Sequence, residues 1–198
     1  PFASTFQARV SGNCSAGNFI QTVNSDGTVV CGTLTTLPDT RPVFSRSTLD
    51  SAGNVGQYTS VTIGSDGLGL ISYYDATNSD LKAAHCNNTA CSSAAVATLD
   101  SAGDVGFATS VTIGSDGLGL ISYFVNINFD LKVAHCNNTV CSSAAVSTLD
   151  SAGIVGEYTS VTIGTDGLGL ISYYDQTNGD LRVAHCSNIF GLPFVRPR

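Results

Sequence analysis

The stretch Val61-Thr62-Ile63-Gly64-Ser65-Asp66-Gly67-Leu68-Gly69-Leu70-Ile71-Ser72-Tyr73 decides the fold, because it returns unchanged at 111–123. Around it, Leu49-Asp50-Ser51-Ala52-Gly53 recurs as Leu99-Asp100-Ser101-Ala102-Gly103 and as Leu149-Asp150-Ser151-Ala152-Gly153, a period of 50 residues without slippage. Self-similarity of this kind marks supersecondary units that are each too small to bury their apolar face alone.

Within one copy, Tyr58 to Gly64 alternates, with Val61 and Ile63 on one face, and reads as a strand. Ser65-Asp66-Gly67 supplies a hairpin turn, and Leu68 to Tyr74 a second strand. The turn Asp75-Ala76-Thr77-Asn78-Ser79 leads into a third strand, Asp80 to Cys86, and Ala94 to Leu99 follows as the fourth. Four antiparallel strands in 50 residues is the size of a propeller blade. Phe44 to Asp50 aligns with a fourth strand whose first three are missing, while the last copy stops near Cys186 without one. One loose end can complete the other and remove an exposed sheet edge.

The phrases Ile71-Ser72-Tyr73-Tyr74-Asp75 and Asp180-Leu181-Arg182-Val183-Ala184-His185-Cys186, set in this repeat, resemble those of bacterial secreted β-propeller repeat proteins over about residues 44 to 189. Ser65-Asp66-Gly67-Leu68 departs from the sialidase-type Asp-box in spacing and in lacking its aromatic end. The expected fold is all-β: three tandem four-stranded antiparallel blades in propeller-like arrangement. Three blades are fewer than the about 4–8 that close a ring. Completion by oligomerisation, with a homodimer sharing six blades, is the first expectation, and a β-trefoil or β-prism is the alternative. The expected organisation is a small disulfide hairpin module and linker over 1–42, an isolated strand at 43–50, and repeats at 51–100, 101–150 and 151–198.

Composition narrows the setting. Gly is abundant at 21 copies, charged residues make up only 12%, Met and Trp are absent, and Glu157 is the sole glutamate, which suits strands and turns better than helices. The formal charge of -7 comes from scattered aspartates and leaves no basic stripe for phosphates, so nucleic acid is not an expected partner. No apolar run approaches the ~20 residues that span a bilayer. The chain opens at Pro1 with no signal peptide in view, and removal of a leader is expected. Seven cysteines at repeated spacings indicate an oxidising compartment, hence a secreted or cell-surface protein. The expected pairs are Cys14 with Cys31, Cys86 with Cys91, and Cys136 with Cys141, leaving Cys186 unpaired because Gly191 stands at its partner's position.

Three features invite chemistry. His85, His135 and His185 fall at one position of each repeat and could hold zinc or copper together, but duplication of one structural histidine explains them, so no metal and no cofactor is expected. The segments starting at Asp75 and Asp175 space oxygen ligands as a calcium loop would, yet the middle copy begins with Val125, and a plain Asx-type turn is the simpler account. Asn13, Asn87 and Asn137 each begin an Asn-x-Ser/Thr sequon.

Catalytic motifs are missing. Residues 51–190 hold a single arginine, Arg182, where sialidases need a cluster, and neither a Ser-His-Asp order nor a phosphate loop appears. The reading is therefore that the chain is not an enzyme. Differences between the first two copies gather at positions 54, 57 and 58 and at 74 to 77 and 79, in two loops that a four-strand meander puts at one end of the sheet. The face so formed would display Gln57, Tyr58, Asp75, Phe107, Phe124, Asn126, Phe129, Glu157, Tyr158 and Asp175, aromatics mixed with amides and carboxylates. The expected function is a non-catalytic extracellular binding or adhesion module that recognises a glycan or a surface protein through this face. The alternatives are a structural subunit of a surface filament and a degenerate sialidase-like glycosidase.

Overall fold

A computed structural model describes residues 10, 12–16, 18–33 and 45–190. The chain divides into two compact units, Pro1–Phe44 and Ser45–Arg198. In the first, β1 (Asn18–Val23) and β2 (Val29–Thr33) form an antiparallel hairpin tied by the Cys14–Cys31 disulfide. Asp26 makes its turn by accepting the Thr28 amide and hydroxyl. The Pro38 to Pro42 linker lies outside the described residues.

The second unit is three antiparallel meanders. The first is β3 (Val55–Ile63), β4 (Gly69–Asp75), β5 (Asp80–Cys86) and β6 (Ala94–Asp100). The second is β7 (Val105–Ile113), β8 (Gly119–Val125), β9 (Asp130–Cys136) and β10 (Ala144–Asp150). The third is β11 (Val155–Ile163), β12 (Gly169–Asp175) and β13 (Asp180–His185), three strands among the described residues. The sequence places the strands correctly to within a few residues. Residues 45–50 carry no strand assignment, and the proposed residue 44 of that strand lies outside the described set.

Each hairpin turn is made by its own side chains. Gly67 takes φ 80°, a left-handed value that glycine adopts without cost, and Asp66 Oδ1 accepts the Leu68 amide at 3.0 Å. That hydrogen bond, with the neighbouring imidazole of His85, holds the Asp66 carboxyl below the usual carboxylate range. His135 Nε2 hydrogen-bonds Asp116 at 2.9 Å, and His85 and His185 Nε2 lie 2.9 and 2.8 Å from Asp66 and Asp166, so each imidazole faces the turn of its own repeat.

The meanders are blades stacked face to face. Leu70, Leu81 and Ala83 of the first pack on Val105, Val111, Ile121 and Tyr123 of the second in one apolar layer. Leu120, Leu131 and Val133 of the second pack on Val155, Val161, Ile171 and Tyr173 of the third in another. The first strands of successive blades, β3, β7 and β11, run side by side, with Ser60 Oγ accepting the Val111 amide and Ser110 Oγ the Val161 amide, both at 3.1 Å. Separate four-stranded sheets joined this way are propeller architecture. The β-trefoil and β-prism alternatives do not apply, because each repeat here is its own sheet and the repeats meet through sheet faces.

The disulfides Cys86–Cys91 and Cys136–Cys141 close the loops after β5 and β9, with Cα atoms 4.9 Å apart in both. Cys186 is free and buried in the second apolar layer. Three disulfides fit an oxidising compartment, and among the described residues no helix is long and apolar enough to cross a membrane.

Candidate functional site

The loop before each first strand and the turn between second and third strands meet at one end of the blade, through Ala76 N to Asn54 O, Asn126 N to Asp104 O and Gln176 N to Ile154 O. Just inside that end the first strand is irregular. Pairing of β3 with β4 shifts between Val55 and Gln57 and again between Gln57 and Ser60, and β7 and β11 repeat both shifts. The bulged residue is left-handed without being glycine: Tyr58 has φ 52°, Ala108 49° and Tyr158 53°. Such a backbone costs on the order of 1–3 kcal/mol and persists where surrounding contacts impose it. Here it turns the residue-58 side chain of each repeat out of the ladder toward the end of the blade.

The result is an aromatic cleft of about 310 Å³ lined by Tyr58, Phe107, Ala108, Phe124, Asn126, Glu157 and Tyr158. Tyr58 and Tyr74 stand 6.2 Å apart between ring centroids, Tyr58 and Phe107 5.3 Å, and Tyr74 and Phe107 4.3 Å, so side chains of two blades form one apolar wall. Tyr158, 79% exposed, stands beside Tyr174 on the far side. Polar anchors sit among the rings. Asp104 accepts the Tyr74 hydroxyl at 2.7 Å and the Asn126 side-chain amide at 2.8 Å. Burial, and then this carboxylate, raises the Tyr74 phenol above its ordinary value and keeps it a neutral donor.

Six of the ten residues assigned to the face by sequence therefore line one cleft: Tyr58, Phe107, Phe124, Asn126, Glu157 and Tyr158. Gln57 is exposed but outside the lining, and Phe129 packs near Phe124 at 6.3 Å. Asp75 and Asp175 are corrections. Both are buried, and their oxygens are spent on the turn, Asp75 accepting Thr77 N at 3.0 Å, Asn78 N at 3.1 Å and Asn78 Nδ2 at 2.9 Å. Asp175 accepts the same two Asn178 groups, and the side-chain bond leads in holding its carboxyl low. Tyr74, Asp104 and Ala108 belong to the site and were missed, although Tyr74 occupies the repeat position of Phe124.

The fold is a β-propeller fold. The putative exo-beta-1,3-galactanase from Bifidobacterium bifidum S17 superposes with a TM-score of 0.51 at 10% identity, over 70% of this chain and 51% of that one. An alpha-L-arabinofuranosidase from Lactobacillus brevis gives 0.47 at 12% identity over 71% and 52%. A fucose lectin from Kordia zhangzhouensis, solved with methyl-fucoside, gives 0.40 at 8% identity over 64% and 90%. The chain thus spans about half the length of the first two. No family model matches the sequence, and no curated protein matches it.

This likeness overturns the expectation that the chain is not an enzyme. That expectation rested on missing motifs of other catalytic families, whereas the architecture is one it shares with a putative galactanase. Motif absence was the wrong criterion, because one fold hosts many chemistries and a site assembled in space need leave no contiguous signature.

Proposed function

We propose that the protein is an extracellular carbohydrate-binding protein that takes a saccharide into the aromatic cleft. The observation that carries this reading is the repeated left-handed bulge that presents Tyr58 and Tyr158 around a cavity holding Phe107, Asn126 and Glu157. Flat aromatic rings match the C–H faces of a pyranose, while the amide and carboxylate match its hydroxyls, and a cavity of about 310 Å³ suits one or two sugar units. A glycan array followed by titration of the best ligand tests it. Tyr158→Ala, which installs the residue already found at 108, is expected to weaken binding about tenfold, equivalent to about 1.4 kcal/mol. Unchanged affinity in that variant and in Phe107→Ala rejects the cleft.

A second reading, cleavage of the bound glycan, is favoured by Glu157 on the cleft wall and by Asp104 at the same end, since glycoside hydrolysis needs two carboxyl groups. Release of nitrophenol from aryl glycosides by the intact protein, abolished in Glu157→Gln with saccharide binding retained, supports it. No release from any substrate that the array identifies removes it.

A further inference from the structure

The two interior blade boundaries use one set of contacts twice. Leu81 of the first blade lies so close over Gly106 of the second that a Cβ there would stand 2.9 Å from the Leu81 Cα, and Leu131 lies over Gly156 at 2.8 Å. Ser65 Oγ donates to the Gly117 carbonyl at 2.9 Å, and Ser115 Oγ to the Gly167 carbonyl at 2.9 Å. Val105 N donates to Ser79 O at 3.1 Å, and Val155 N to Phe129 O at 2.9 Å. One blade's front therefore matches the next blade's back, atom type for atom type.

The third blade carries the front half of this set, and the first blade carries the back half, uncovered among the described residues. Leu181 is 85% exposed where its counterparts Leu81 and Leu131 are 0% exposed. Val61 is 66% exposed where Val111 and Val161 are 7% exposed. No described atom lies within 4 Å of a Cβ built on Gly56, the counterpart of Gly106 and Gly156. A cleft of about 380 Å³ opens beside it between Val55, Ile71 and Ala84, on the face that the second blade fills with its neighbour's leucines.

We infer that the front of the third blade docks on the back of the first blade of a second copy of this chain, repeating the interior boundary. Leu181 enters the cleft over Gly56, the Thr165 hydroxyl donates to the Gly67 carbonyl, and Ser160 Oγ accepts the Val61 amide. The occupant follows from the repeat: the surface that fits this back face is the one that already covers two of its near-identical copies. Residues 45–50 come with it. Asp50 already holds Tyr73 at 2.7 Å as Asp100 holds Tyr123 at 2.6 Å, which sets this segment alongside β13 of the other copy, where β6 lies on β5. Rings of about 4–8 blades close, so two copies of three blades complete one and three copies overshoot it. Each contact is heterologous, and a half-turn between copies makes it close.

Light scattering on the 198-residue protein over a dilution series is expected to give twice the 20.3 kDa chain mass. Leu181→Asp and Val61→Asp, each on an exposed surface, should separately give single chains. Mixed one to one, they should recover a two-chain species, because each retains the half the other lacks; the mixture also proves both variants folded. A wild-type mass of 20.3 kDa, growth beyond two copies, a two-chain mass in either variant alone, or a mixture that stays single would each overturn the inference.

Discussion

The phenolic oxygen of Tyr123 donates a 2.6 Å hydrogen bond to Asp100, across the boundary between the first two blades. The same latch joins Tyr73 to Asp50 and Tyr173 to Asp150, both at 2.7 Å. Burial, and next the Asp100 carboxylate, pushes the Tyr123 phenol far above its ordinary value, so it stays a donor at any pH the fold survives. Tyr123→Phe leaves a buried carboxylate short of a partner, with Lys132 no nearer than 3.6 Å, and should destabilise by about 1–3 kcal/mol in urea unfolding. Tyr73→Phe should cost less, because Asp50 keeps Lys82 at 2.6 Å. Equal losses in the two variants would show that the lysine distance is irrelevant.

Acid should loosen the first blade. The hydrogen bond from Lys82, then those from the Ala52 amide and the Tyr73 hydroxyl, lowers the Asp50 carboxyl to about 2 from an ordinary 3.8. A depressed folded value means this stability is fully present above about pH 4 and is lost as pH falls toward 2. Urea midpoints between pH 5 and pH 2 should therefore fall through that window, and Lys82→Met, which brings the folded value back toward 3.8, should make the fall smaller. A profile identical to the wild type would refute the role given to Lys82.

Cys186 should be silent until the protein unfolds. Its thiol is buried, and that burial pushes its pKa up, so little thiolate forms near neutral pH. With the other six cysteines in disulfides, a thiol reagent should titrate one group per chain in denaturant without reductant, and far more slowly in the native state. Rapid native labelling, or more than one thiol, would contradict the packing.

Two glycines should differ in what alanine costs them. Gly106 has φ +101°, and a Cβ there would meet Leu81 backbone at 2.9 Å, so Gly106→Ala must move a blade as well as strain the chain. Gly179 has φ +75° with nothing within 4 Å, and its counterparts Ser79 and Phe129 already carry side chains at φ 63° and 62°, so Gly179→Ala should cost no more than the left-handed penalty of about 1–2 kcal/mol. Thermal unfolding of the pair should rank Gly106→Ala clearly lower.

The repeat, the turn at Ser65-Asp66-Gly67 and the cysteine pairs were legible because each is a local signal: a period, a turn composition, a short spacing. The strand start was misjudged at Tyr58, since the bulge that follows Val55 breaks the alternation that reveals strands. Asp75 and Asp175 read as displayed because turn residues usually are, and only the fold shows their oxygens turned inward. Val61 and Val111 are the same residue in the same stretch, yet one is exposed and the other buried. Nothing within a repeat distinguishes them, because burial there is decided by whichever blade lies alongside.

The unchanged stretch has a kinetic consequence. During folding, β7 meets three candidate partners of identical sequence, Gly69 to Tyr73, Gly119 to Tyr123 and Gly169 to Tyr173, and side-chain preference cannot tell them apart. Mispairing between copies is the usual hazard of repeats. What separates the candidates is chain length: the turn at Asp116 and Gly117, fastened by Gly114 N to Leu118 O at 2.7 Å, delivers the correct strand across a few residues, while the wrong ones must close loops of about thirty residues or more. A closure that short takes about 10–100 ns. Asp116 and Gly117 therefore act as a timing device, and the native pairing is the one that arrives first.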